Sequence, residues 1–306
     1  MTHFQRLTVV TVVATLALIG MGATVRITGS GLGCPDWPLC HGGFLPPAEQ
    51  APVIEWSHRA LAAGVGVLIV AQAAWAVTAF RRDRRLVVAV ALALPLLLVQ
   101  ALLGREAVVR ELPPMVVAVH MVSAQLLLAL LVMMAVWAVR GHGLAGVRDA
   151  EGPLHRRATI AAAFVGLTMA VGAYMLASGA GFACSGWPGC AEAPVPFVDG
   201  GRLEHIHWLH RSLVGATFVA VAWLAWTARG IAGRWLSAGI RALIVLYVAQ
   251  IFVGAANLWL DFARPVRVTH LVLGSVVWAT AVALSVASRR PGRTEWSRNR
   301  RDEGHE

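Results

Sequence analysis

Eight apolar runs of roughly 19 to 24 residues alternate with short polar segments along the chain, at about 7–25, 56–79, 86–104, 115–138, 157–177, 207–228, 238–258 and 266–287. About 20 apolar residues cross the hydrocarbon core of a bilayer as a helix. Within the runs polar and apolar residues do not alternate, so they predict helices and not the strands of a transmembrane barrel. The pattern therefore predicts an all-α polytopic membrane protein with eight transmembrane helices. The first run resembles a secretory signal, but no clear small-residue cleavage site follows it, and it reads as a retained helix.

Composition agrees with this reading. Of 306 residues, 58% are hydrophobic and 14% charged, and the mean hydropathy is +0.66. The net charge of +10 is carried entirely by arginine. A nucleic-acid partner is rejected, because most arginines sit at the ends of apolar runs, where they set orientation. Eighteen arginines fall on one side of the predicted membrane and eight on the other. The richer side is the cytoplasmic one, which places both termini inside. The basic tail 289–306 is predicted to be disordered.

The chain repeats itself. "GSGLGCPDWPLC" (29–40) and "GAGFACSGWPGC" (179–190) each carry two cysteines six positions apart around Trp-Pro. Gly22-Ala23 matches Gly172-Ala173, Gln100 and Gly104 match Gln250 and Gly254, and His120 matches His270, all at an offset of 150. Glu55 and His58 fall opposite His207 and His210 at 152, so the second loop has gained two residues. Two tandem four-helix units follow, 1–150 and 151–288, joined by a linker at 140–157. Each has an even number of spans, so they share one orientation and a pseudo-two-fold axis along the membrane normal. Both cysteine loops then face the extracytoplasmic side, where disulfides persist.

Within this frame each unit places two histidines a turn or two inside its outer helical ends: His58 and His120, then His210 and His270. Ionisable groups at membrane depth are commonly functional, and neutral imidazole is a metal ligand. Two histidines without carboxylate or cysteine partners are too few for a closed zinc site. Haem supplies four nitrogens itself and needs only axial ligands. One haem site per half, near the outer face, is expected. His207 shares a helical face with His210 and is a neighbour of the site or a rival ligand; His205 adds to this crowding. His3, His41, His142, His155 and His305 read as loop or tail residues.

Glu55 stands three residues before His58, on the same face, where its counterpart is His207. An acid beside one site only suggests that the first half does the chemistry. Arg59 and Arg211 follow the ligands directly; they snorkel to the interface or pair with carboxylates such as haem propionates, as do Arg26, Arg105, Arg264 and Arg267. The cysteines are open to three readings: metal ligands, a redox couple, or short bridges that rigidify the loops, with Trp37 and Trp187 as interfacial anchors.

These motifs, with "EWSHR", "HWLHR", "VVAVHM" and "RVTHL", resemble the haem A synthase family of the bacterial type with paired extracytoplasmic cysteines. The resemblance runs nearly the whole chain, through the eighth span. It implies oxidation of the C8 methyl of haem O to a formyl, a four-electron change reached by two hydroxylations and loss of water. It implies that His58 and His120 hold the substrate haem beside Glu55 as the essential acid. It further implies that His210 and His270 hold a haem b cofactor, and that Cys34–Cys40 and Cys184–Cys190 are disulfides. Expected partners are haem O, an enzyme that produces it, an electron donor and the lipid bilayer of a bacterial plasma membrane. Two other classes compete. One is a di-haem b-type electron carrier. The other is a haem transporter or assembly factor that binds haem without converting it.

Overall fold

A computed structural model describes residues 1–140, 152–190, 200–230 and 233–289. Among them are eight helices long and apolar enough to cross a membrane. They are α1 (His3–Thr28), α2 (Gln50–Ala79), α3 (Arg84–Val109), α4 (Pro114–Arg140), α5 (Gly152–Ala177), α6 (Arg202–Ala228), α7 (Arg234–Trp259) and α8 (Arg264–Ala287).

All eight predicted spans are present, and each helix runs past its apolar run. Local chemistry sets the true ends. Thr2 and Gln5 form a reciprocal capping box at the start of α1, and Asp83 caps α3 by accepting from the Arg85 and Leu86 amides. Such side chains satisfy backbone donors that have no partner in the first turn. Gly29 closes α1 in the left-handed conformation, which glycine adopts without steric cost. The predicted linker is corrected at its end: α5 begins at Gly152, so 152–157 is helix. Residues 141–151, with His142, lie outside the described residues, as do 290–306 with His305. His155 is likewise no loop residue. It sits in α5, with Nδ1 3.0 Å from the Ser285 carbonyl of α8.

Helix α1 packs against α2 and α4, and α3 against the same two. The same relation holds among α5 to α8, with α5 and α7 each against α6 and α8. Between the two sets, α4 meets α5 and α8, and α1 meets α8. Polar contacts join them here: Gln125 Nε2 donates to Ser275 Oγ at 2.9 Å, and Trp278 Nε1 donates to the Gln125 carbonyl at 2.9 Å. Lipid offers no hydrophobic force between helices, so close packing and such bonds hold them together.

The apolar cores lie toward one end. In the first set Phe4, Ala76, Leu86 and Met134 pack together, at the start of α1 and α3 and the end of α2 and α4. In the second, Leu154, Leu224, Leu243 and Val277 do the same. Both ends lie opposite the cysteine loops. The loop-side ends are left for polar side chains.

Candidate functional site

His58 stands eight residues into α2 and His210 eight into α6; His120 and His270 stand six into α4 and α8. At about 1.5 Å per residue the four imidazoles lie roughly 9–12 Å inside their helices. Each ring lies against a glycine of a neighbouring helix. A Cβ built on Gly22 of α1 would stand 3.1 Å from His58 Cε1, and one on Gly172 of α5 3.0 Å from His210 Cε1. On Gly254 of α7 the distance to His270 Cε1 is 3.2 Å, and on Gly104 of α3 that to His120 Cε1 is 3.5 Å. At the three shorter distances a Cβ would push the ring aside by a few tenths of an ångström. At Gly22 and Gly172 the Cε1 atom of the ring is nearest the glycine, with Nδ1 somewhat closer than Nε2. The Leu18 carbonyl interacts with His58, and the Thr168 carbonyl, 150 positions on, with His210.

Nδ1 of His58, His120 and His210 is buried without a well-formed hydrogen bond. His58 and His120 are close enough to interact electrostatically, as are His210 and His270. The structure thus brings together the two pairs that the sequence suggested. No three His, Cys, Asp or Glu side chains converge among the described residues. The donor set offered by each half is a pair of half-buried imidazoles, which fits the axial needs of haem.

Glu55 is 3% exposed. Oε2 accepts from the Cys34 amide at 2.9 Å, and Oε1 meets Arg59 Nη2 at 2.5 Å. Arg59 also donates to the carbonyls of Asp36 (2.6 Å), Leu39 (2.7 Å) and Cys34 (2.8 Å). The acid and the arginine therefore clamp the first cysteine loop over the end of the bundle. Arg211 repeats part of this, donating to the carbonyls of Gly186, Pro188 and Gly189. His207, in place of the acid, is buried, with Nδ1 2.9 Å from the Ala180 carbonyl. His205 Nδ1 lies 2.7 Å from the Gly201 carbonyl at the helix start. It is His210, not either of these, that lies on the glycine. Arg59 and Arg211 are engaged by loop carbonyls. Of the other arginines, Arg26 and Arg267 come close enough to interact, one turn outward of Gly22 and His270.

Cys34–Cys40 and Cys184–Cys190 are disulfides. In the first loop the Asp36 carboxylate accepts from the His41 and Gly42 amides at 2.6 and 2.8 Å. These bonds hold its carboxyl below its ordinary pKa of 3.8, the Gly42 amide most strongly. Trp37 and Trp187, the expected anchors, are 41% and 39% exposed.

Sequence reasoning noticed the four glycines and the two glutamines only as matches of the repeat. Their recurrence at the offset of the histidines was the available signal. The glutamines differ in use. Gln250 Nε2 donates to the His270 carbonyl at 2.9 Å and lies 3.2 Å from its Nδ1, whereas Gln100 Nε2 donates to Ser123 Oγ at 2.5 Å.

Comparison with known proteins gives a consistent match. A family model described as cytochrome oxidase assembly protein, COX15-CtaA, covers residues 5–282. A haem A synthase of Symbiobacterium thermophilum is 32% identical over 80% of this chain and 82% of its own. One from Bacillus pumilus is 34% identical over 71% and 70%, and one from Exiguobacterium sibiricum 29% over 77% and 78%. With eight membrane-length helices, paired cysteines and two half-buried histidine pairs on the same frame, the chain belongs to the COX15-CtaA family of cytochrome oxidase assembly proteins.

Proposed function

We propose that this chain is a haem A synthase, an oxidoreductase of the membrane that converts the C8 methyl of haem O to a formyl. The observation that carries the reading is the pair of imidazoles set against glycines of neighbouring helices in each half, with a buried acid, Glu55, one helical turn from His58 and a histidine, His207, at the matching place. The first half, 1–150, takes the substrate haem between His58 and His120. The second, 151–288, holds a resident haem, of the b type, between His210 and His270. Bound haem supplies the redox chemistry of such a site.

The protein's own part is placement and charge. Gly22 and Gly172 set the position of the His58 and His210 rings, and the Leu18 and Thr168 carbonyls help to orient them, as partners behind a metal ligand do. The first cysteine loop, clamped by Arg59, covers the outer end and limits water. Glu55 holds negative charge at the mouth of the first site, where it moves protons or stabilises positive charge at the reacting carbon. Arg26, and Arg267, whose guanidinium lies over the Phe182 ring of the second loop, are suited to pair with propionates. The loops face the extracytoplasmic side and both termini the cytoplasm, following the arginine bias.

The test is pigment extraction from cells that make this protein beside a source of haem O. Formyl-bearing haem is the expected product, lost in His58→Ala. Haem bound but unchanged in the unaltered protein would instead mark an electron carrier or a transporter.

A further inference from the structure

The two glutamines, Gln100 and Gln250, occupy matching positions and do different things. Gln250 reaches α8, donates to the backbone carbonyl of His270 and touches its ring. To do so it passes Gly274: a Cβ built there would stand 3.2 Å from Gln250 Nε2. The residue before Gly274 is Leu273, which offers no hydroxyl. The matching pair in α4 is Ser123-Ala124. Ala124 carries the methyl that Gly274 lacks, and Ser123 Oγ captures the Gln100 amide at 2.5 Å while donating to the Val119 carbonyl at 2.7 Å.

Ser123 Oγ meets the His120 carbonyl at 3.2 Å, as Gln250 meets that of His270, but the His120 ring is left without the glutamine. Its Nδ1 is buried without a partner, and Gly104 gives it 3.5 Å, against 3.2 Å at Gly254 for His270. Neither the glutamine nor the glycine of the first half presses on its ring.

We propose that Ser123 and Ala124 turn Gln100 away from His120 and so make it the exchangeable histidine, through which the substrate haem is taken up and released. The proposal rests on the reading that the first half binds substrate and the second a resident cofactor. A resident group needs a ring that stays in place. A substrate that must leave as product needs a ligand that lets go each turnover. Ser123 is a positioning residue in this scheme: it acts on the His120 ring through Gln100, itself donates to the His120 backbone carbonyl at 3.2 Å, and touches no haem.

The experiment uses the full-length protein in detergent, loaded with ferric haem b as the probe, and follows haem transfer to excess apomyoglobin. Two phases are expected, the fast one missing in His120→Ala and the slow one missing in His270→Ala. The double variant Ser123→Leu/Ala124→Gly is expected to slow the fast phase by about fivefold, the scale of one added hydrogen bond, and to leave the slow phase alone. The reverse exchange, Leu273→Ser/Gly274→Ala, is expected to speed the slow phase by about the same factor. Ser123→Ala removes the hydroxyl without adding bulk and should slow the fast phase in the same direction. If neither Ser123 variant changes the fast phase, or if His120→Ala removes the slow one, the proposal is wrong. Failure of the underlying reading shows elsewhere, as absence of haem A in the pigment assay while both phases persist.

Discussion

Arg59 Nη2 lies 2.5 Å from Glu55 Oε1, and the matching nitrogen of Arg211 is buried without a partner. The substitution of an acid by His207 between the two copies is thus visible as a buried Nη2 without a partner on Arg211, whose Nη1 keeps its loop carbonyls. Glu55 anchors the first loop through the Cys34 amide, and in the proposed function it has a second duty as the acid of the first half.

The two duties separate by substitution. Glu55→Ala removes the carboxylate from Arg59, which keeps its three loop carbonyls, and leaves the buried Cys34 amide without its acceptor; it should cost about 1–3 kcal/mol, as an unsatisfied buried group does. Glu55→Gln keeps an acceptor for the Cys34 amide and should fold, yet convert little or no haem O. Haem O, hydroxylated intermediate and haem A are quantified by mass spectrometry. A Gln variant with the full yield of haem A would reduce Glu55 to a loop anchor.

The glycine seats make a graded prediction. Gly172→Ala and Gly22→Ala bring a methyl within 3.0 and 3.1 Å of an imidazole and should lower haem content of the affected half severalfold. Gly104→Ala meets His120 at an ordinary 3.5 Å and should be tolerated, gaining up to about 1 kcal/mol from helix propensity. Gly64, with nothing near its position, is the control for that gain. Pyridine haemochrome spectra and thermal unfolding of each variant check the order; equal haem loss at Gly104 and Gly172 would deny the seats their role.

The disulfides close short loops. In the chain-entropy account a separation of six residues is worth about 2 kcal/mol. Arg59 and Asp36 hold the first loop independently of its bridge. Cys34→Ser/Cys40→Ser should therefore lower stability by about that amount and retain bound haem. Loss of haem from the first half would mean that the bridge itself shapes the site.

Asp36 gives the first loop a pH dependence. Its folded pKa is depressed below 3.8, chiefly by the Gly42 amide. A depressed carboxylate contributes stability above its unfolded pKa and loses it as pH falls through the folded value. Reduction of Cys34–Cys40 by a phosphine, active in acid, should accelerate only below pH 3.8. Asp36→Asn should be reduced quickly across the range. Identical profiles for the two proteins would show that the loop does not depend on the carboxylate.

Much of the site was legible in the chain. The histidine pairs stood out because a repeat at a constant offset makes four isolated residues into two sets. The contrast of Glu55 with His207 was legible for the same reason. The arginines were not. Arg59 and Arg211 look like interface residues in sequence, and only the folded loops, with carbonyls turned inward, engage them. His155 was missed because the polar first turn of α5 resembles a loop until α8 supplies an acceptor.

Periodicity and apolar length, by themselves, determined the eight helices, since a backbone in lipid must satisfy its hydrogen bonds within the helix. The repeat determined which residues are counterparts. It could not say what each counterpart touches. That Gln250 reaches His270 while Gln100 turns to Ser123 was decided by packing between helices, where the Ser123 hydroxyl offers Gln100 a partner that Leu273 does not offer Gln250. Contacts of this kind join residues far apart in the chain, and they exist only once α3 lies on α4 and α7 on α8.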